Sequence, residues 1–169
     1  MKQLRDSLIA EMKDYFGEDR RRISHALRVT SFAEEILLEE EGDEDVVIAA
    51  AILHDIGIPV AEEKYGSSAR HYQEIEGPII AREILRKHGF EEPFIEKVCE
   101  IIGNHHSPRK VNTLNFKIVY DADLLVNLGD KFQSKPEKGI SERIDRIFLT
   151  ETGRIMAKKQ KWGRMGQHK

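Results

Sequence analysis

The chain has 169 residues, of which 40% are hydrophobic and 34% are charged, and its formal net charge is -3. This length fits one domain with a buried core, and the slight negative charge gives no electrostatic basis for nucleic-acid binding. The single cysteine, Cys99, excludes an internal disulfide and a cysteine-rich zinc site. The start lacks an apolar signal region and charged residues interrupt every apolar stretch, so we expect a cytoplasmic protein without membrane contact.

Apolar side chains recur at helical spacing along nearly the whole chain, and glycine or proline residues separate the periodic segments. The pattern predicts an all-α, single-domain bundle of about six or seven helices. In chain order the predicted helices span residues 4–16, about 19–41, about 44–55, about 75–87, about 93–105, about 114–128 and about 141–159. Within the last of these, Gly153 is expected to kink or split the helix.

Two segments lack this periodicity. The polar stretch 59–72 is predicted to be the longest loop, and its position after the third helix favours a role in substrate contacts. The basic segment 158–169 is predicted to be a loosely ordered tail that follows a helical domain at 1–157.

Histidine and aspartate side chains interrupt the apolar faces of three predicted helices. His25, His54 and Asp123 each lie in the inward register of a helix, and Asp55 follows at a helix end that Gly57 opens. Burying such groups is costly unless they are paired or bind a metal. We therefore expect these four side chains to converge on one divalent ion, and imidazole with carboxylate suits Mn, Fe, Co, Ni or Zn.

A second set of histidines lies further along the chain. His105 and His106 end an apolar helix, and His71 lies in the predicted loop. These three side chains are candidate ligands of a second ion that Asp55 bridges, and two ions would clamp both oxygens of a phosphoryl transfer. The alternative for His105 and His106 is that one of them orients a ligand or contacts the substrate.

The arrangement of these residues resembles the H…HD…D pattern of the HD-domain metal-dependent phosphohydrolases, over about residues 20–128. The segment 104–108 is also similar to the double-histidine segment of the two-metal branch. The resemblance implies an all-α bundle and hydrolysis of a phosphate ester, often in a nucleotide. The residues that carry the pattern are His25, His54-Asp55-Ile-Gly57, Ala122-Asp123-x-Leu125 and Asn104-His-His-Ser-Pro108.

The chain departs from the two-metal branch at one position. Members of that branch usually carry a histidine a few residues before a glycine in the helix after the HD motif. Here Gln73, Glu74 and Glu76 precede Gly77, and His71 is further away. The sequence leaves open a displaced histidine, a glutamate that substitutes for it, or a weak second site.

Several polar residues flank the expected site. We expect Arg28, Lys64, Arg70 and Arg109 to contact a substrate phosphate. We expect Asn127 to contact a metal ligand and to orient it without binding the ion. For Arg28 an ion pair with a nearby glutamate is an equally good interpretation. The arginine run at 20–22 is interpreted as a polar helix start, with a place at the substrate mouth as the less favoured alternative.

These observations favour an enzyme, a metal-dependent phosphoric ester hydrolase. It would cleave a phosphate ester of a small nucleotide or related metabolite with metal-activated water. The expected partners are one or two divalent ions and a small phosphorylated substrate, and the oligomeric state stays open. Two alternatives remain, a di-iron oxygenase on the same scaffold and a non-catalytic metal-binding regulatory domain.

Overall fold

A computed structural model describes the backbone of residues 2–131 and 138–167, and the side chains as far as residue 160. Within these ranges every regular element is an α-helix, which confirms the predicted all-α fold. The nine helices of the described ranges are α1 (Lys2–Phe16), α2 (Arg20–Leu37), α3 (Glu44–Leu53), α4 (Ile58–Tyr65), α5 (Arg70–Lys87), α6 (Glu92–Ile102), α7 (Leu114–Lys131), α8 (Ile140–Ile147) and α9 (Glu151–Gln167).

Helix α3 is the central element of the bundle. Its residues 46–53 are all buried, so the helix has apolar neighbours on every side rather than on one face. Helices α1, α2, α6 and α7 pack around it. Asp43 begins the helix by accepting a hydrogen bond from the backbone N–H of Val46. The helix therefore runs through the core and delivers His54 to the middle of the molecule.

Helices α2 and α7 pack against each other as well as against α3. On α2 the side chains of Ala26 and Val29 are buried, and on α7 those of Val119 and Ala122 are buried. His25 lies four residues before Val29, and Asp123 lies four residues after Val119, so each shares a helix face with a buried apolar side chain. The packing of the two helices therefore turns their polar side chains toward the end of α3.

The prediction that 59–72 forms one long loop was wrong. Helix α4 begins at Ile58, with Pro59 in its first turn, and α5 already begins at Arg70. Proline at the first turn of a helix costs little because the N–H that it lacks has no partner inside the helix. Pro59 therefore marks a helix start, although the sequence was interpreted as a stop. The buried side chain of Ala61 fixes the apolar side of α4.

The last predicted helix is split, but at 148–150 rather than at Gly153. The Asp121 carboxylate accepts hydrogen bonds from the backbone N–H groups of Leu149 and Thr150, at 2.9 and 2.7 Å. The Thr150 hydroxyl then caps α9 by accepting from the N–H of Gly153 at 2.9 Å. These bonds stabilise an extended link between α8 and α9 and attach it to α7.

The division into a domain at 1–157 and a tail at 158–169 stays a prediction. Helix α9 runs to Gln167, and residues 168–169 lie outside the described ranges. Across the described part of the chain, no helix combines the length and apolar character that a bilayer crossing requires.

Candidate metal centre

The four residues predicted to bind the first ion meet at one point. His25 comes from α2, His54 and Asp55 from the end of α3, and Asp123 from α7. We call these four residues the inner group. The His54 side chain is completely buried, whereas the other three are each between 14 and 21% exposed. The inner group therefore lies at the floor of a site that solvent reaches.

The ligand-type atoms of the inner group are spaced as they would be around one ion. Nε2 of His25 lies 2.9 Å from Oδ1 of Asp123 and 3.4 Å from Nε2 of His54. Nε2 of His54 lies 3.3 Å from Oδ2 of Asp55 and 3.5 Å from Oδ1 of Asp123. Ligands about 2.1 Å from a common ion are separated by about 3.0–3.4 Å. His25, His54 and Asp55 offer ligand atoms that all lie within 4.8 Å of one another, and Asp123 joins them through its contacts with the two histidines.

Backbone carbonyls fix the orientation of two of the imidazole rings. Nδ1 of His54 donates to the carbonyl oxygen of Ala51 at 2.7 Å, and Nδ1 of His105 donates to that of Ile102 at 2.7 Å. A carbonyl oxygen only accepts, so Nδ1 carries the hydrogen in each ring and Nε2 is turned to the site. This is the pattern of metal-ligating histidines, whose other ring nitrogen donates to a fixed oxygen.

The Nε2 atom of His105 gives a second test of whether the site suits a metal ion. It is buried and has no hydrogen-bond partner among the described residues, and it lies 3.4 Å from Oδ1 of Asp55. Buried polar atoms are normally satisfied, so an unpaired imidazole nitrogen calls for a partner. A metal ion beside Asp55 would supply that partner.

The electrostatics of the site favour bound positive charge. Burial would raise the pKa of Asp55, but His54 and His105 hold it well below its usual value. Burial likewise opposes the ionised form of Asp123, yet hydrogen bonds from His25 and His54 keep its pKa low. In turn, the two carboxylates outweigh burial and hold the pKa of His54 well above its usual value. Both carboxylates are therefore ionised, and either a proton on His54 or a metal ion can balance them.

Asp55 also belongs to a second set of ligand-type side chains. Asp55, His105 and His106, which we call the outer group, each offer an atom within 4.8 Å of the others. Burial and the neighbouring His105 lower the pKa of His106 to about 4, so its ring is neutral at pH 7. A neutral ring keeps one lone pair, which a ligand needs.

His71, the third histidine predicted for the second ion, is not brought to the outer group. It lies exposed in the first turn of α5, and its ring centroid is 4.0 Å from that of Tyr72. The glutamates before Gly77 are also engaged elsewhere. Glu74 accepts from the backbone N–H of His106 and from a serine hydroxyl, and Glu76 accepts from a tyrosine hydroxyl.

A cavity of about 590 Å³ opens onto both groups. It runs mainly between α2 and α7, with Ile58 and Gln73 on its remaining side. The segment 59–72, which was expected to contact the substrate, contributes none of the described lining residues, and Ile58 and Gln73 lie on either side of it. Of the predicted polar contacts, Arg28 and Asn127 line the cavity.

Arg28 pairs with Asp130, at 3.2 Å from Nη1 to Oδ1, on the rim of this cavity. The other three predicted phosphate contacts, Lys64, Arg70 and Arg109, are exposed and lie outside the set of described residues that line it. Lys64 instead approaches the Glu76 carboxylate at 3.5 Å.

The sequence undervalued two of the lining arginines, and it gave no role to Gln73. Arg21 and Arg22 line the cavity one turn before His25, which supports the less favoured interpretation of the arginine run. Gln73 also lines it and contacts His106. Helical register counted back from His25 would have found the arginines, whereas a lone glutamine gives no sequence signal.

A close approach of two backbones fixes the segment after Asp55. A Cβ added to Gly57 would lie 2.8 Å from the Cα of Gly77, and nearer still to its amide nitrogen. Only glycine allows α5 to come this close to the end of the HD motif. The contact sets the position of Asp55 against the helix that carries Gln73.

Comparisons with known proteins agree with this geometry. A model of the HD domain family matches residues 22–128. The crystal structure of a predicted HD superfamily hydrolase from an uncultured Thermotogales bacterium is 30% identical, with a TM-score of 0.68 over 98% of this chain and 87% of that one.

Two curated relatives match about half of the chain. Ribonuclease Y of Campylobacter hominis is 35% identical over 51% of this chain, and an uncharacterised protein of Acanthamoeba polyphaga mimivirus is 35% identical over 54% of it. The alignments cover 18% and 38% of those proteins, so the chain spans well under half of their length.

Proposed function

The chain belongs to the HD domain family, and from this premise we propose that it is a metal-dependent phosphohydrolase. The proposed substrate is a phosphate ester of a small nucleotide or a related metabolite. The relation to a solved HD superfamily hydrolase supports hydrolysis in general. The substrate class rests on the site itself and on its cavity.

The observation that carries the proposal is the spacing of the inner group, with interatomic distances of 2.9–3.5 Å and ring nitrogens aimed at a common point. We propose that the inner group holds one ion and that the outer group holds a second, with Asp55 shared. The ions are expected to be Mn, Fe, Co, Ni or Zn. A bound divalent ion activates water as a nucleophile and neutralises phosphate charge.

The chain's own residues supply orientation and charge. The carbonyl of Ala51 keeps the His54 ring fixed with Nε2 facing the site, as a ligand requires. Arg21, Arg22 and Arg28 place guanidinium groups along the cavity, where they suit the oxygens of a phosphate. Arg22 is held by Glu62 at 2.7 Å, which fixes its head group at the mouth.

The size of the cavity supports a small substrate. At about 590 Å³ it falls in the range of small-molecule sites, and a single nucleotide or dinucleotide suits such a volume. The relation to Ribonuclease Y brings phosphodiesters into the substrate class to be tested alongside phosphomonoesters.

The test is a substrate screen on protein stripped of metal and reloaded with each candidate ion. We expect metal-dependent hydrolysis of at least one member of a panel of nucleoside monophosphates, cyclic nucleotides and dinucleotides. Asp55→Asn should abolish it, whereas Asp14→Asn on the exposed side of α1 should not. No hydrolysis with any ion would end the proposal, and oxygen consumption by the iron-loaded protein would favour the di-iron alternative.

A further inference from the structure

Gln73 connects the outer group to the segment that precedes α5. Its side chain is buried and lines the cavity of the metal centre. Nε2 of Gln73 donates to the carbonyl oxygen of Ser68 at 2.7 Å, and its Oε1 lies 2.9 Å from Nε2 of His106. The amide therefore bridges a backbone carbonyl and an imidazole ring.

The orientation of this amide follows from the chemistry of its partners. The Ser68 carbonyl only accepts hydrogen bonds, so the amide nitrogen of Gln73 must face it and Oε1 must face His106. Because Oε1 also only accepts, Nε2 of His106 must carry the hydrogen. The lone pair of the neutral His106 ring is then on Nδ1.

The same rule thus holds for three imidazoles at the site. The rings of His54 and His105 each donate one N–H to a backbone carbonyl, and the His106 ring donates one N–H to the Gln73 amide. The His106 tautomer is the reverse of the other two, because its anchor is a side chain on α5 rather than a carbonyl in its own turn.

A second contact from α5 fixes the backbone beneath this ring. Glu74 accepts from the backbone N–H of His106 at 3.1 Å and from the Ser107 hydroxyl at 2.9 and 3.0 Å. Neighbouring residues of one helix therefore set both the position of the His106 backbone and the hydrogen of its ring.

We propose that Gln73 is a positioning residue for the second metal position, where it fixes His106 as the tautomer that binds through Nδ1. This inference rests on the proposed metal centre. It also accounts for the departure from the two-metal branch, since a residue that orients a ligand stands where the resemblance implies a ligand.

The first test is made on the metal-free wild-type protein. Nitrogen-15 NMR of the histidine rings at pH 8 should show the hydrogen of His106 on Nε2 and that of His105 on Nδ1. A His106 ring with its hydrogen on Nδ1 would overturn the inference. This measurement involves neither bound metal nor activity.

The second test compares metal binding in Gln73→Leu and Gln73→Glu by calorimetry and metal analysis. Leucine removes the acceptor at similar volume, so the affinity for the second ion should fall about 10- to 100-fold while that for the first is unchanged. Glutamate keeps an acceptor facing His106, although it loses the donor to the Ser68 carbonyl, and should retain the second ion. Gln3→Leu, on the exposed surface of α1, is the matched control and should bind as the wild type does.

The outcomes separate this inference from the proposed function. Undiminished binding of the second ion by Gln73→Leu, or a wild-type protein that binds one ion only, overturns the role of Gln73 and leaves the inner group intact. A wild-type protein that binds no ion overturns the metal centre as well. If Gln73→Leu fails to fold, Gln73→Glu and the NMR measurement still decide.

Discussion

The inner group takes its side chains from α2, α7 and the buried end of α3, whereas His105 and His106 of the outer group lie on the turn after α6. The inner side chains are placed by helix packing around a fully buried helix. His105 is oriented by a carbonyl of its own turn, and His106 is placed by individual hydrogen bonds from α5. Packing fixes many atoms at once, so the inner group depends less on any single hydrogen bond than His106 does.

The largest expected effect comes from replacing Asp55, the residue that the inner group and the outer group share. Asp55→Ala should lose both ions and lower turnover by more than about 100-fold, the upper end for partners that only support a ligand. The double variant His105→Ala/His106→Ala should lose only the second ion. Metal analysis before and after chelation measures both, with circular dichroism to confirm a helical fold. Full metal content with retained activity in Asp55→Ala would contradict the assignment.

A smaller effect is expected where α5 approaches the HD motif. Gly57→Ala introduces a Cβ against the Gly77 backbone and should cost roughly 1–3 kcal/mol of unfolding free energy in urea, with weaker metal binding.

The matched control is Gly66→Ala at the end of α4. There φ is +66° and no described atom lies within 4 Å of the added Cβ, so only backbone strain of about 1–2 kcal/mol is expected. Its metal affinity should be unchanged. Equal loss of metal affinity in both variants would show that general destabilisation, rather than the Gly57 contact, controls the site.

The smallest effect concerns the pH dependence of stability in the metal-free protein. The unfolded chain protonates His106 near pH 6.5, but the folded protein resists protonation until about pH 4. The folded state therefore loses stability as the pH falls from 6.5 to 4, by about 1–2 kcal/mol after allowance for the partly exposed ring.

His106→Gln should remove this contribution and flatten the stability profile in that pH window, as measured by urea unfolding. His71→Gln, at an exposed position, should leave the profile as it is in the wild type. An identical slope in His106→Gln and the wild type would show that the ring is not shielded from protons.

The contrast between the two groups also explains which parts of the site could be predicted from the sequence. Residues His25, His54 and Asp123 share the register of apolar side chains four positions away, so helical periodicity was enough to predict that they converge. The family resemblance pointed to the same residues, and the all-α fold followed from the same periodicity. Their role as metal ligands stays a prediction.

What the sequence did not reveal depends on contacts that carry no periodic signal. Helix α4 was missed because Pro59 fits both the end of one helix and the start of the next. Gln73 was missed because its role depends on a hydrogen bond to the Ser68 carbonyl, which no pattern of residue types records. The split near Thr150 similarly depends on the buried carboxylate of Asp121.

The burial of α3 on all sides has a consequence for hydrogen exchange around the site. Backbone amides inside a helix that is covered on all sides exchange hydrogen with solvent only when the whole domain unfolds. His54 is the next residue after this protected segment, whereas His106 lies on a turn after α6. We therefore expect slower amide exchange at the end of α3 than at the turn after α6, and slower release of an ion from the inner group than from the outer group.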